Sequence, residues 1–124
     1  MKKIYLMLLL MFAVNFHAQA QDAELRDRYE IVDIMNSYAL SLDTKDYTLL
    51  RSIFLADVEV AIIFDAGSPD GGVVELSGID DWIKYVQEAL EGTRASQHLL
   101  GNPMIKLTGD TAVVRTDLQA TEYY

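Results

Sequence analysis

The sequence has no cysteine, which excludes disulfide staples and thiolate metal sites. Histidine is nearly as scarce: there are 2, and one of them, His17, lies in the apolar N-terminal segment. With so few imidazoles and no thiols, a zinc site is not expected. Basic residues are also few, 10 Lys and Arg against 19 Asp and Glu, for a formal charge of −9. Such a surface repels nucleic-acid phosphates and offers no polybasic stripe to anionic lipid. No stretch after the N-terminal segment is apolar enough over enough residues to span a membrane. The sequence also lacks internal repeats, linkers and low-complexity segments.

The first segment reads as an address. Lys2 and Lys3 form a basic start, Ile4 to Val14 is an unbroken apolar run, and Ala18-Gln19-Ala20 follows the small-x-small pattern of a cleavage site. The run is short for a transmembrane helix. We therefore expect residues 1–20 to be a secretory signal peptide cut before Gln21, and a periplasmic or secreted protein with no membrane contact after cleavage. With no cysteine at the cut, a lipid anchor there is excluded. Residues 21–124 then form one domain, more acidic than the whole chain because Lys2 and Lys3 are gone. A domain of this size can fold without disulfides, though its core is modest.

Gln21 to Leu42 reads as a helix with two adjoining apolar faces, Leu25, Tyr29, Val32, Asn36 and Ala39 on one and Ile31, Ile34, Met35, Tyr38 and Leu42 on the other. That pattern predicts a helix covered on more than one side. Asp43-Thr44-Lys45-Asp46 interrupts it, and Thr44 or Asp46 can cap a second helix over Tyr47–Phe54. Asp57–Phe64 is β-branched and reads as a strand. Gly67 to Gly72 turns the chain, and Val73–Leu76 returns as a hairpin partner. Ser77 or Asp80 starts a third helix, in which Ile79, Trp82, Ile83, Val86, Ala89 and Leu90 make one apolar stripe, and Gly92 ends it. Ser96–Leu107 and Thr111–Tyr124 form a long hairpin around Thr108-Gly109-Asp110. Its second strand puts Ala112, Val114, Thr116, Leu118 and Ala120 on one face and Val113, Arg115, Asp117, Gln119 and Thr121 on the other. Pro103 predicts a bulge or an edge position.

Helices first and antiparallel strands later predict an α+β fold, with the third helix across the concave face of a curved sheet. Such a cone encloses an apolar pocket for a small hydrophobic molecule. The strand pattern is still running at Tyr123-Tyr124, with nothing after it to cover the free edge. Either the domain is C-terminally truncated, or a partner chain covers the edge in a homodimer or homotrimer.

His98 is the one imidazole of residues 21–124, and it opens a predicted strand. A lone histidine is often a surface or core ring without a role. Asp43 alone reads as a group that caps or solvates a helix break, and Tyr38 as a core aromatic. Together they say more. Asp43 lies at the C-terminal end of the first helix, where the dipole disfavours an acid, so a cationic or proton-donating partner is expected. A carboxylate on one imidazole nitrogen orients the ring and leaves the other nitrogen as a general base. Tyr38 flanks the same helix end and can reach the same cavity. Other motifs are negative. Asp80-Asp81 suits a helix start rather than a metal. The Gly67–Gly72 turn lacks the lysine and the following helix of a phosphate loop. Ser41 and Ser96 stand in no nucleophile elbow.

At these residues the chain resembles the SnoaL-like branch of the NTF2-like superfamily. The matching stretches are Ile31 to Tyr47, Leu50 to Asp57 ending in Ile53-Phe54-Leu55-Ala56-Asp57, Gly78-Ile79, His98 with Asn102, and Gly109 to Val114. Their order and spacing cover nearly all of residues 21–124. The branch includes scytalone dehydratase-like, bile-acid dehydratase-like and dehydrochlorinase-like enzymes. The resemblance implies three helices packed on a curved antiparallel sheet, a catalytic dyad of Asp43 and His98, a leaving-group tyrosine at Tyr38, and no cofactor. The family continues with two further strands that this sequence does not show.

Two function classes follow. The first is a cofactor-independent lyase, a dehydratase-type enzyme acting on a small hydrophobic or polycyclic substrate, with isomerisation through the same base as its variant. The second is a non-catalytic ligand-binding or assembly domain built on the same cone.

Overall fold

The computed structural model describes the backbone of residues 2–65 and 71–124, and the side chains of residues 21–65 and 71–124. The elements follow in the order α1 (Lys2–Asp43), α2 (Tyr47–Ser52), β1 (Glu59–Ile63), β2 (Val73–Ser77), α3 (Ile79–Ala89), β3 (Ala95–Leu100), β4 (Met104–Thr108), β5 (Thr111–Arg115) and β6 (Leu118–Tyr123). This is the expected α+β class. The helical stretch expected from Gln21 is continuous with the segment before it, back to Lys2. Among the described residues, no helix is long and apolar enough to cross a membrane.

The core gathers where helices meet. Leu42 from α1, Leu50 from α2, and Ile79, Trp82, Ile83, Val86 and Leu90 from α3 and its end form one buried cluster. The α3 stripe is buried as its 3.6-residue period predicts, except for Ala89, which faces solvent. Phe54 bridges the cluster to α1. Its ring meets Tyr38 edge-on at 6.3 Å and Trp82 at 6.2 Å, while Tyr85 stacks on Trp82 at 6.0 Å.

The helix covering expected for α1 is corrected. Leu25, Tyr29 and Ile34 are exposed, as is Asn36. Among the described residues the main packing on α1 comes from α2 and β3; Ala39 and Leu42, one from each expected face, are buried, while Leu25, Tyr29 and Asn36 of one face and Ile34 of the other are open to solvent. At α3, the expected cap at Ser77 or Asp80 is replaced by Gly78. Gly78 holds φ 89 and ψ 153, a backbone region open to glycine and few other residues, so the chain turns there without a capping side chain. Asp80 and Asp81 sit in the first turn, where the helix dipole favours them, and Asp80 pairs with Arg51 at 2.6 Å.

β1 and β2 form the expected hairpin, in register from Glu59↔Ser77 to Ile63↔Val73. Most of its expected turn, Gly67 to Asp70, lies outside the described residues. The long second hairpin is present, but each of its strands is broken. β3 pairs with β6 and β4 with β5, in two separate antiparallel ladders. The breaks, Gly101-Asn102-Pro103 and Thr116-Asp117, lie opposite each other. Pro103 has no N–H to give a ladder. Local bonds close the gap instead: the Gly101 N–H donates to the Asp117 carbonyl at 2.8 Å, and the Thr116 hydroxyl donates to the Gly101 carbonyl at 2.9 Å.

Among the described residues, the three two-stranded ladders do not close into one sheet. The inward and outward faces expected of the last strand are therefore weakly distinguished. Val113 is 71% exposed and Val114 still 37%. Among the described residues no helix packs closely on β5, so alternation in sequence does not become alternation in burial. β3 does alternate, with Ser96, His98 and Leu100 on the half-buried face that meets α1.

Candidate active site at the end of the first helix

The site begins with the way α1 stops. Asp43 is its last helical residue. The Lys45 N–H donates to the Leu42 carbonyl at 3.2 Å and the Asp46 N–H to the Ser41 carbonyl at 2.9 Å. This pair of bonds is the Schellman arrangement, which needs a left-handed residue at its apex. Lys45 supplies it with φ 53. A residue with a side chain costs about 1–2 kcal/mol in that conformation, which glycine adopts freely. Asp46 then caps α2 by accepting the Leu49 N–H at 2.9 Å. Asp46, rather than Thr44, is the cap.

The sharp stop aims the Asp43 carboxylate at β3. Its Oδ1 lies 2.7 Å from His98 Nδ1, and its Oδ2 accepts the His98 backbone N–H at 3.1 Å. One carboxylate thus holds both the ring and the strand that carries it. The His98 side chain is 8% exposed and that of Asp43 26%. An ionised carboxylate only accepts, so Nδ1 carries the proton of the neutral ring. The lone pair is left on Nε2, which makes that nitrogen the basic atom of the neutral ring. A second, longer tie joins the same elements: the Ser96 hydroxyl donates to the Leu42 carbonyl at 3.4 Å.

Beside the pair is an apolar cavity of about 240 Å³. Ile34, Met35 and Tyr38 of α1 line it, with Ile53 and Phe54 after α2 and Leu100, Thr116 and Leu118 from the strands. Thr116 and the Tyr38 hydroxyl are the polar features of this wall. His98 lies two residues before Leu100 on the same strand face, about 7 Å along β3. The structure therefore brings Asp43 and His98 into contact and sets Tyr38 in the adjoining cavity wall. Among the described residues, Tyr38 makes no hydrogen bond to either member of the pair.

Burial raises the Tyr38 phenol above its ordinary value of 10.0. It stays protonated at neutral pH. The unfolded chain ionises this tyrosine first, so stability is unaffected below pH 10.0 and falls as pH rises toward the raised native value. Tyr38→Phe should flatten the alkaline loss of stability. Urea denaturation on either side of pH 10.0 measures it, and an unchanged slope would assign that loss to other groups.

Sequence reasoning did not find most of the cavity wall. Leu100 was within its reach, since it stands at period two from His98. Ile53 and Phe54 were not, because their place depends on how the α1–α2 turn aims α2. Lys45 carries no local signal either, since glycine is the residue that normally marks its position.

The helices, the antiparallel ladders and the cavity between them define an NTF2-like α+β domain. A family model described as the SnoaL-like domain matches residues 23–123, and the chain belongs to that family. Solved structures carry the same fold. A protein of Novosphingobium aromaticivorans, provisionally assigned as a scytalone dehydratase, is 25% identical with a TM-score of 0.71, over 84% of this chain and 65% of that one. A protein of Kribbella flavida is 19% identical with a TM-score of 0.64, over 80% of this chain and 65% of that one. A protein of Streptomyces avermitilis, provisionally assigned as a dehydratase of the NTF2-like family, is 21% identical with a TM-score of 0.61, over 78% and 72%. The chain thus spans just under two thirds of the length of the first two. No curated protein matches it.

Proposed function

We propose that this protein is a lyase that eliminates water from a small, hydrophobic β-hydroxy ketone, with His98 as base. One observation carries the reading: a nearly buried imidazole, held through Nδ1 by Asp43 at 2.7 Å, beside an apolar cavity. His98 Nε2 takes the proton next to the carbonyl. The C–H pair becomes the new C=C bond, the C–O bond breaks, and the departing hydroxide leaves as water with a proton from the site. Asp43 stabilises the imidazolium that forms. Tyr38, protonated and in the cavity wall, is the donor we assign to the departing oxygen. The dehydratase assignments of two structural neighbours support elimination over other uses of the same base. The likeness to the second rests on fold alone.

A cavity of about 240 Å³ accommodates one or two fused rings. β-Hydroxytetralone is a fitting probe, because loss of water yields a fluorescent naphthol. Wild-type protein should release naphthol, and His98→Ala should reduce the rate by about 10²–10⁴-fold. Equal rates in the two proteins would remove His98 from the chemistry.

The binding-only reading draws on a different observation. The cavity wall consists almost wholly of carbon, and the pair lies beside it rather than in it. That reading expects naphthol itself to bind wild type and His98→Ala equally, with no turnover of the hydroxy ketone. We also take residues 1–20 as an export signal, supported by Lys2-Lys3, the apolar run and Ala18-Gln19-Ala20.

A further inference from the structure

Lys45 occupies a backbone conformation that glycine would adopt without strain. Its side chain explains why a lysine can be there. Nζ donates to the Leu90 carbonyl at 3.0 Å and to the Thr93 carbonyl at 2.7 Å. Leu90 closes α3, and its carbonyl also accepts the Thr93 hydroxyl at 2.9 Å. Both Leu90 and Thr93 are buried. Arg94 follows, with its N–H on the Tyr123 carbonyl at 2.7 Å, and β3 starts at Ala95. The ammonium therefore ties the residue two places after Asp43 to the segment that leads into the strand of His98. It sits where the carbonyls at the end of α3 point, which is where a helix favours a cation.

We propose that Lys45 is a positioning residue for the Asp43–His98 pair. Among the described bonds, its ammonium makes none to either side chain. It fixes the end of α1 against the start of β3, so that the carboxylate meets ring and strand at once. The proposal rests on the catalytic reading of that pair, and names a residue that sets its geometry. Apart from the bonds of the pair itself, the hydrogen bond described between α1 and β3 is the 3.4 Å one from Ser96 to the Leu42 carbonyl, so without this clamp the imidazole and carboxylate would sample wider separations. Misplacement on the ångström scale is enough to lower a proton-transfer rate strongly.

Glycine separates positioning from stability, because Lys45→Gly removes the ammonium while relieving the backbone. Lys45→Met is the companion variant, which keeps the apolar stem and the backbone conformation. The readout is the imidazole nitrogen spectrum of the full chain labelled with ¹⁵N, with the His98 signals told from those of His17 by their loss in His98→Ala. Wild type should show a single dominant form of His98, with the proton on Nδ1. Both Lys45 variants should melt cooperatively yet show the mixed tautomers of a loosely held ring, and Lys45→Arg should restore the wild-type pattern. In the β-hydroxytetralone assay, kcat should fall on the order of tenfold with KM within about threefold. If the wild-type pattern persists in the Gly and Met variants, Lys45 has no positioning role, and the catalytic reading is untouched. A free tautomer mixture in wild type itself would instead overturn the pairing, and with it both proposals.

Discussion

Asp43→Asn is expected to lower kcat for elimination by about 10³–10⁴-fold while the fold survives. The reason lies in the direction of one proton. Asp43 Oδ1 accepts from Nδ1 at 2.7 Å and so keeps the lone pair on Nε2. An asparagine in the same place can turn its amide N–H toward Nδ1. The ring then carries its proton on Nε2, where no base remains. The amide oxygen can still accept the His98 backbone N–H now bound at 3.1 Å, so the strand stays tethered. Stability should drop by only about 1–2 kcal/mol, the worth of one charge-assisted bond exchanged for a neutral one. Turnover of β-hydroxytetralone and urea denaturation measured on the same sample separate the two effects. A loss of activity below tenfold would make Asp43 a tether of β3 and no more.

Trp82→Ala should produce the largest loss of stability of any single substitution, about 3–5 kcal/mol. Trp82 is 7% exposed and lies at the centre of the helical core. Its ring receives Phe54 edge-on and Tyr85 face-on, two aromatic pairs each worth about 0.5–1.5 kcal/mol beyond burial. Removing it leaves a void between α2 and α3 that surrounding side chains can only partly fill. A domain with about 5–15 kcal/mol in total would be near its limit. Trp82→Phe should lose far less. It keeps a ring, and it removes a buried Nε1–H that has no acceptor among the described residues. Because Trp82 is the 1 tryptophan of the chain, far-ultraviolet circular dichroism rather than fluorescence must follow unfolding. Equal losses in the two variants would mean that the ring's bulk does not hold this core together. Phe54 also lines the cavity, so the alanine variant should weaken naphthol binding as well.

Much of this architecture was readable along the chain. The α3 stripe followed from a repeat within a single helix, and burial of Ile79, Trp82, Ile83, Val86 and Leu90 followed from the stripe. The break after Asp43 was visible because a turn interrupts a long apolar pattern. An irregularity at Pro103, where the structure has a break between β3 and β4, was visible because proline cannot donate to a ladder. The exposure of Leu25, Tyr29 and Ile34 was not, since an apolar face says only what could be covered. Nor was the second break at Thr116-Asp117, which contains no proline and exists because it stands opposite Gly101.

The candidate site divides in the same way. Sequence alone determined the chemical inventory: one imidazole after residue 20, an acid at an unfavourable helix end, a tyrosine five residues earlier, and no thiol. It also determined the α+β order, because helix and strand periods are properties of neighbouring residues. Tertiary structure alone decided that Asp43 grips both the ring and the backbone of a residue 55 positions away. It also decided that a strained lysine braces that contact and that the cavity draws its wall from α1, the end of α2 and the hairpin. Those relations depend on how elements pack, and packing is a balance of long-range contacts that no local period encodes.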